Sequence, residues 1–169
     1  MLLMRRPIPT QKAYAIFGLL LGTLPPAAIF TRIFGGPGAA NDYGLVLICL
    51  LMNIACALVG YGMGGALGRS VDNLERAPWG QMLGISMLMG LAWGAVTGAA
   101  GGMLFFIIGA LFGIICAMPV GFIAFALFTP LHRTLARGGV IDARHFWPVA
   151  SGIIMLIVAL ILSPHVFPY

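Results

Sequence analysis

Long apolar runs, nearly free of charge, govern what this sequence can fold into. Five of them follow one another, at roughly 13–34, 43–68, 79–100, 103–130 and 146–163. Four contain no Asp, Glu, Lys or Arg, and the first contains only Arg32, close to its end. A helix rises about 1.5 Å per residue, so about 20 apolar residues match the roughly 30 Å hydrocarbon core of a bilayer. A soluble domain devotes about 25% of its residues to charge. Here the figure is 8%, with 61% hydrophobic residues in a chain of 169, too little charge to cover a water-facing surface. The expectation is an all-α fold: one polytopic transmembrane bundle of about five spans, forming a single integral membrane domain over residues 1–169.

Charge placement orients these spans. With five crossings, the N-terminus and the second and fourth connections share a side, which carries Arg5, Arg6, Lys12, Arg69, Arg76, Arg133, Arg137 and Arg144. The other side carries only Arg32. Lys and Arg beside short loops stay on the cytoplasmic face, so the N-terminus is expected inside and the C-terminus outside a plasma membrane of the bacterial inner-membrane type. Fusing the third and fourth runs into one span would place Arg133, Arg137 and Arg144 outside, against the same rule. The basic N-terminus followed by an apolar run also has the first two regions of a signal peptide. Pro25 and Pro26 fall where a cleavage site wants small residues, so the run is read as a retained span.

The connections are expected at the Gly35-Gly36-Pro37-Gly38 turn cluster, the charged stretch 69–76, the short segment 99–102 and the basic stretch 131–145. The shortness of the third makes the runs around it an antiparallel hairpin. Asp142 is placed to cap the fifth helix, and Pro78 to open the third. Trp79, Trp147, Tyr14, Tyr43 and Tyr169 fall near run ends, where amphipathic rings settle at the membrane interface.

Glycine recurs every fourth residue. The third run holds Gly90, Gly94, Gly98 and Gly102, the second Gly60, Gly64 and Gly68, the fourth Gly109, Gly113, Ala117 and Gly121, and the first Gly18 and Gly22. Four residues overshoot a full helical turn by about 40°, so each set forms a slowly drifting ridge. Without side chains, such ridges admit a neighbouring backbone, and packing along them is expected within the subunit or between subunits. Asn53, Ser86 and Thr97 lie on or near the same faces and are expected to turn toward protein, bonded between helices or lining a pore. Pro25 and Pro26 deprive the carbonyls of Leu21 and Gly22 of helical donors, which is read as a kink with Thr23 available to compensate. The thiols of Cys49, Cys56 and Cys116 are expected to be small buried groups.

No set of residues announces chemistry. The histidines His132, His145 and His165 are expected outside the spans and lack the spacing of a haem or metal site, and no metal or cofactor is expected. No ionisable side chain is expected at mid-span, where ion-coupled carriers place one. The nine bases are dispersed along the chain, which argues against nucleic acid. His132 and His145 are expected to join Arg133, Arg137 and Arg144 in a basic surface for anionic lipid or an acidic partner. The sequence therefore reads as a non-enzymatic accessory, assembly or structural subunit, in contact with the bilayer and with copies of itself or a larger membrane complex. The alternative is a small oligomeric channel or facilitator lined by Asn53, Ser86, Thr97 and the Pro25–Pro26 break.

Topology is the most direct test. Cysteines replacing Asn73 and Gly138 should react with an impermeant thiol reagent only from the cytoplasmic side, and one replacing Phe167 only from outside. Labelling of Gly138→Cys from outside would remove the five-span arrangement.

Overall fold

A computed structural model of the chain describes residues 7–34, 42–72 and 77–163. The expected turn at Gly35–Gly38, the end of the charged stretch at Asn73–Arg76, Arg5, Arg6, His165 and Tyr169 lie outside the described residues. The described chain is built from a short strand β1 (Pro7–Pro9) and helices α1 (Thr10–Phe34), α2 (Tyr43–Asp72), α3 (Trp79–Gly102) and α4 (Phe106–Leu135). A second short strand β2 (Val140–Asp142) and helix α5 (Ala143–Leu162) follow. The fold is helical, and four stretches are long and apolar enough to cross a membrane: Thr10–Ile33, Tyr43–Val71, Trp79–Leu135 and Ala143–Leu162. The third of these, 57 residues long, contains both α3 and α4.

Local chemistry sets the helix ends. The Asp42 carboxylate accepts from the N–H of Leu45 at 3.1 Å, and that of Asp142 accepts from the N–H of Arg144 at 3.3 Å, so each satisfies a first-turn donor. Pro78 stands as the extended residue just ahead of α3, one position before the first turn where it was expected. The bend between α3 and α4 also departs from expectation. Ala99, Ala100, Gly101 and Gly102 are helical, and the chain reverses over a single 3-10 turn at Met103–Phe105. The glycines are kept in α3 by close approach: an added Cβ at Gly102 would collide with the carbonyl of Gly109, and one at Gly101 with the sulfur of Cys56. The reversal falls instead on Phe106, which takes a φ of 58°, a region that bulky residues rarely adopt.

Contacts between facing residues give the helix directions. Gly18 meets Gly60 and Gly22 meets Cys56, so α1 and α2 are antiparallel. Cys56 bonds to Thr97 and Trp93 to Gly60, so α2 and α3 are antiparallel. Gly90 meets Gly121 and Gly98 meets Gly113, which makes α3 and α4 antiparallel. At one end β1 pairs with β2 through Ile8 and Ile141, placing the starts of α1 and α5 together. At the opposite end Arg32 donates to the carbonyls of Ile161 and Ser163, at 2.5 and 2.9 Å. The five helices thus alternate in direction, and α1 and α5 run parallel.

The stretch 131–145, expected as a loop, is mostly regular. It comprises the last turn of α4, a two-residue turn at Gly138 and Gly139 with φ of 60° and 74°, β2 and the first turn of α5. Two successive positive φ angles make the mirror-image turn that suits a tight reversal, and glycine adopts them without steric cost. Thr10 clips this turn to α1, its N–H and hydroxyl both donating to the Gly139 carbonyl at 3.1 and 3.0 Å.

The largest buried side chains gather in the half of the bundle nearest this strand pair. Tyr14 and Phe17 of α1, Phe125 and Phe128 of α4 and Phe146 of α5 are fully buried. Phe17 stacks on Phe128 with ring centroids 3.9 Å apart, and Tyr14 meets Phe128 edge-on at 5.1 Å. Tyr14 is therefore a core residue and no interfacial anchor, because its face of α1 is covered by α4. Trp79 and Trp147, each about half exposed, and Tyr43 remain outward-facing.

These contacts yield a paired test. A Cβ at Gly94 would overlap the Ala117 carbonyl and the Met118 backbone, whereas one at Gly62 would meet nothing within 4 Å. Gly94→Leu should lower stability by about 1–3 kcal/mol or more, with a lower midpoint of thermal unfolding in detergent. Gly62→Leu should melt like the parent. Equal behaviour of the two variants would remove close approach as the cause.

Candidate functional site

Three regions collect the polar and small residues, and they are distinct in space. The first comprises the helix seams. Gly60 and Gly64 of α2 face α1, where an added Cβ would collide with the carbonyls of Gly18 and Tyr14. Gly90, Gly94 and Gly98 of α3 face Gly121, Ala117 and Gly113 of α4, and Gly109 faces Gly102. Each contact sets one helix backbone against another with no side chain between. The two glycine seams are joined by Trp93. Its indole N–H donates to the Gly60 carbonyl at 3.2 Å, its ring lies beside Phe125, and the residue is 1% exposed.

The second region comprises the polar residues of α2 and α3. The Cys56 thiol donates to the Thr97 carbonyl at 3.6 Å, and Gly101 leaves the space that its sulfur occupies. The Thr97 hydroxyl and the Asn53 side-chain oxygen are buried without a hydrogen-bond partner among the described residues. Ser86 turns back on its own helix, donating to the Leu83 carbonyl at 2.8 Å. The interhelical bonds expected of Asn53, Ser86 and Thr97 are thus made instead by Trp93 and Cys56. The backbones lie so close that a helix carbonyl comes within reach of a large indole or a thiol. Short hydroxyls find their nearest acceptor one turn away. Of the three cysteines only Cys56 is buried; Cys49 is half-buried and Cys116 exposed.

Pro25 and Pro26 lie inside α1, Pro25 buried and Pro26 half-buried. Thr23 does not serve the carbonyls they vacate: its hydroxyl bonds to Leu19 and, at 3.4 Å, to Leu20. A hydroxyl on a helix reaches back three or four residues, which carries it past Leu21 and Gly22.

The third region is the basic end. A cavity of about 190 Å³ opens there between α2, α3 and α4, lined by Thr10, Val71, Met82, His132, Arg133 and Gly138 among others. His132 is 3% exposed and packs against the rings of Tyr14, at 5.2 Å, and Phe128, at 5.7 Å. It belongs to the last turn of α4, not to a surface loop as expected, because α4 continues past Pro130 to Leu135. Arg133 leans away from bulk solvent, donating to the Ala77 carbonyl at 2.9 Å and lying 4.7 Å from the ring centre of Trp79. Arg137 and Arg144 are exposed, one beside the glycine turn and one in the first turn of α5 with His145. The expected basic surface is therefore divided, with Arg133 and His132 facing the bundle and Arg137, Arg144 and His145 facing out.

Sequence reading missed Trp93, His132 and Arg32 as structural centres. Trp93 stood in plain view, since an indole one residue before Gly94 on a glycine ridge needs a partner for its N–H. In the sequence Arg32 is only the exception to the charge bias. At the end of α1 it supplies donors to the last carbonyls of α5, where a cation also complements the helix dipole. Nothing in the sequence connects residue 32 with residue 161.

Among the described residues no three His, Cys, Asp or Glu side chains gather at metal-binding distance. Comparison with protein-family models, curated proteins and solved structures finds no match to the chain.

The Trp93 bond can be weighed by substitution. Trp93→Phe removes the donor to Gly60 and should cost about 0.5–1.5 kcal/mol for the bond, plus a smaller packing loss. Trp93→Ala should cost about 3–5 kcal/mol. Chemical unfolding in mixed micelles measures both, and a Phe variant as unstable as the Ala variant would assign the effect to volume alone.

Proposed function

We propose that the chain is a five-span integral membrane protein of a plasma membrane, N-terminus cytoplasmic. In this reading it serves as a non-enzymatic accessory, assembly or structural subunit of a membrane complex, in contact with lipid and with copies of itself or other subunits. The observation that carries the reading is how the interior is closed. Backbone meets backbone along α1–α2 and α3–α4, and an indole fills the junction between the two seams. A solute would have to part contacts that leave no room even for a methyl group. The alternating helix directions and the gathering of Lys12, Arg69, Arg133, Arg137 and Arg144 at one end support five spans and this orientation. At the other end stands Arg32, committed to the α5 terminus.

Large outward-facing apolar surfaces support contact with lipid and other subunits. Val46, Leu47, Leu50, Ile54 and Leu58 on α2, and Ile107, Ile108, Leu111, Phe112 and Ile115 on the first half of α4, are all exposed. Such surfaces suit lipid and other helices and are unsuited to water. On this reading the glycine ridges Gly60–Gly64, Gly90–Gly98 and Gly109–Gly113 are spent on packing within the subunit. Oligomer contacts are left to the apolar faces.

One observation favours the channel reading: the Asn53 oxygen and the Thr97 hydroxyl are buried without hydrogen-bond partners among the described residues, as groups awaiting a polar solute would be. Asn53→Cys, with Cys49, Cys56 and Cys116 replaced by Ala, separates the two. A dry site gives no reaction with a small water-soluble thiol reagent and no solute flux in proteoliposomes, which is the expected result. Rapid labelling that blocks a measurable flux would establish the channel reading in its place.

A further inference from the structure

A groove of about 430 Å³ lies outside the aromatic core, where β1 and the starts of α1 and α5 come together. It is lined by Pro7, Ile8, Pro9, Lys12, Ile16, Ala143 and Trp147. Helical spacing gives the groove its two sides. Lys12 and Ile16 are four residues apart on one face of α1, and Ala143 and Trp147 four apart on one face of α5. Because the two helices run parallel from the same end, each side has its first residue near the strand pair and its second one turn deeper. The strand roofs the space, and two of its three residues are prolines, so it offers few N–H donors of its own.

Charge in this groove is one-sided. Lys12 is exposed and makes no ion pair among the described residues. Among the described residues no carboxylate lines the groove. The nearest in sequence, Asp142, is occupied in capping α5, and Arg144 and His145 stand exposed beside it. Below Lys12 the surface turns apolar, with Ile16 and the flank of Trp147 leading toward the α1–α5 seam. A cation above an apolar slot, with an indole one turn deeper, complements a phosphate ester carried on hydrocarbon. A soluble anion would leave the apolar walls unused, and an acidic peptide would have to enter the bilayer to reach them.

We propose that this groove is a binding site for one anionic phospholipid of the cytoplasmic leaflet. Its phosphate is held by Lys12, and its first methylenes lie against Ile16 and the Trp147 indole. The proposal rests on the five-span reading, and its test is arranged so that the two fail differently. The full chain is reconstituted in nanodiscs of phosphatidylcholine with a minor fraction of phosphatidylglycerol, one or the other lipid being brominated to quench tryptophan. Trp79→Phe leaves Trp147 as the exposed reporter at the groove, and Trp147→Phe leaves Trp79, beside Arg133, as a reporter away from it.

The expected result is that brominated phosphatidylglycerol quenches Trp147 more strongly than its mole fraction predicts, by about fivefold. Lys12→Gln should abolish that preference, Lys12→Arg should keep it, and neither should change quenching of Trp79. Quenching of Trp147 in proportion to mole fraction would overturn the lipid site and leave the membrane reading standing. So would a Lys12→Gln effect of equal size at both tryptophans, since diffuse surface charge would then account for it. Absence of quenching by either brominated lipid at both reporters would overturn the five-span reading and the site together.

Discussion

How closely two helix backbones can approach determines the rest of this structure. In a hydrocarbon solvent apolar side chains gain little by leaving lipid for one another, so association must come from packing and from bonds across the interface. Both need short distances. At Gly18–Gly60, Gly98–Gly113 and Gly102–Gly109 the approach is such that a Cβ on either partner would overlap the facing carbonyl. That proximity also brings the Gly60 carbonyl within reach of Trp93 and the Thr97 carbonyl within reach of Cys56. The polar links between helices are consequences of the glycine contacts, which explains why they use backbone acceptors in place of paired side chains.

The two glycine hairpins do not make a bundle by themselves. They are joined through Trp93, and α5 closes the assembly against α1 and α4 with Phe146, Ala150, Ile154 and Ile157. The ends of α5 are held by unrelated devices. One is a strand pair clipped by Thr10 at the Gly138–Gly139 turn, and the other is the Arg32 guanidinium on its final carbonyls. Both tie α5 to α1, the helix farthest from it in sequence. The first helix made is thereby linked to the last, and the chain is closed at both ends of that pair.

Burial is uneven along the bundle, and that bears on what the protein does. The aromatic core fills the half near the basic end, whereas the side chains of the reversal at Met103–Phe105 and of Phe106, Ile107, Ile108, Leu111 and Phe112 in the following turns of α4 are exposed. A pore-forming or catalytic protein concentrates its polar groups in an interior space. Here the interior is shut by backbone contact, and the polar groups with space around them lie at the basic end. A structural subunit that meets lipid and partners through its outer faces is consistent with that distribution.

Much of the architecture is legible in the sequence because long apolar helices obey simple rules. The length and purity of the apolar runs specify long helices, and the glycine spacing marks the faces able to approach a neighbour. The Asp142 cap and the antiparallel α3–α4 hairpin follow from equally local reasoning. Periodicity, however, reports which face of a helix is small and says nothing of which partner it meets or in what register. That Gly60 faces Gly18 while Gly90 faces Gly121 was decided only by tertiary packing. So was the burial of His132 and Tyr14, residues whose polarity suggested an exposed position until α1 and α4 covered one another. The bend at Met103–Phe105 was likewise out of reach, since Gly101 and Gly102 look like a turn unless one knows that Cys56 and Gly109 press against them. Sequence determined the class of element, its length and the small-residue faces, because those depend on solvent and on neighbours a turn away. Pairing, register and burial were left to the tertiary structure, because they depend on residues far along the chain, at separations that run from Gly90 and Gly121 to Thr10 and Gly139 or Arg32 and Ile161.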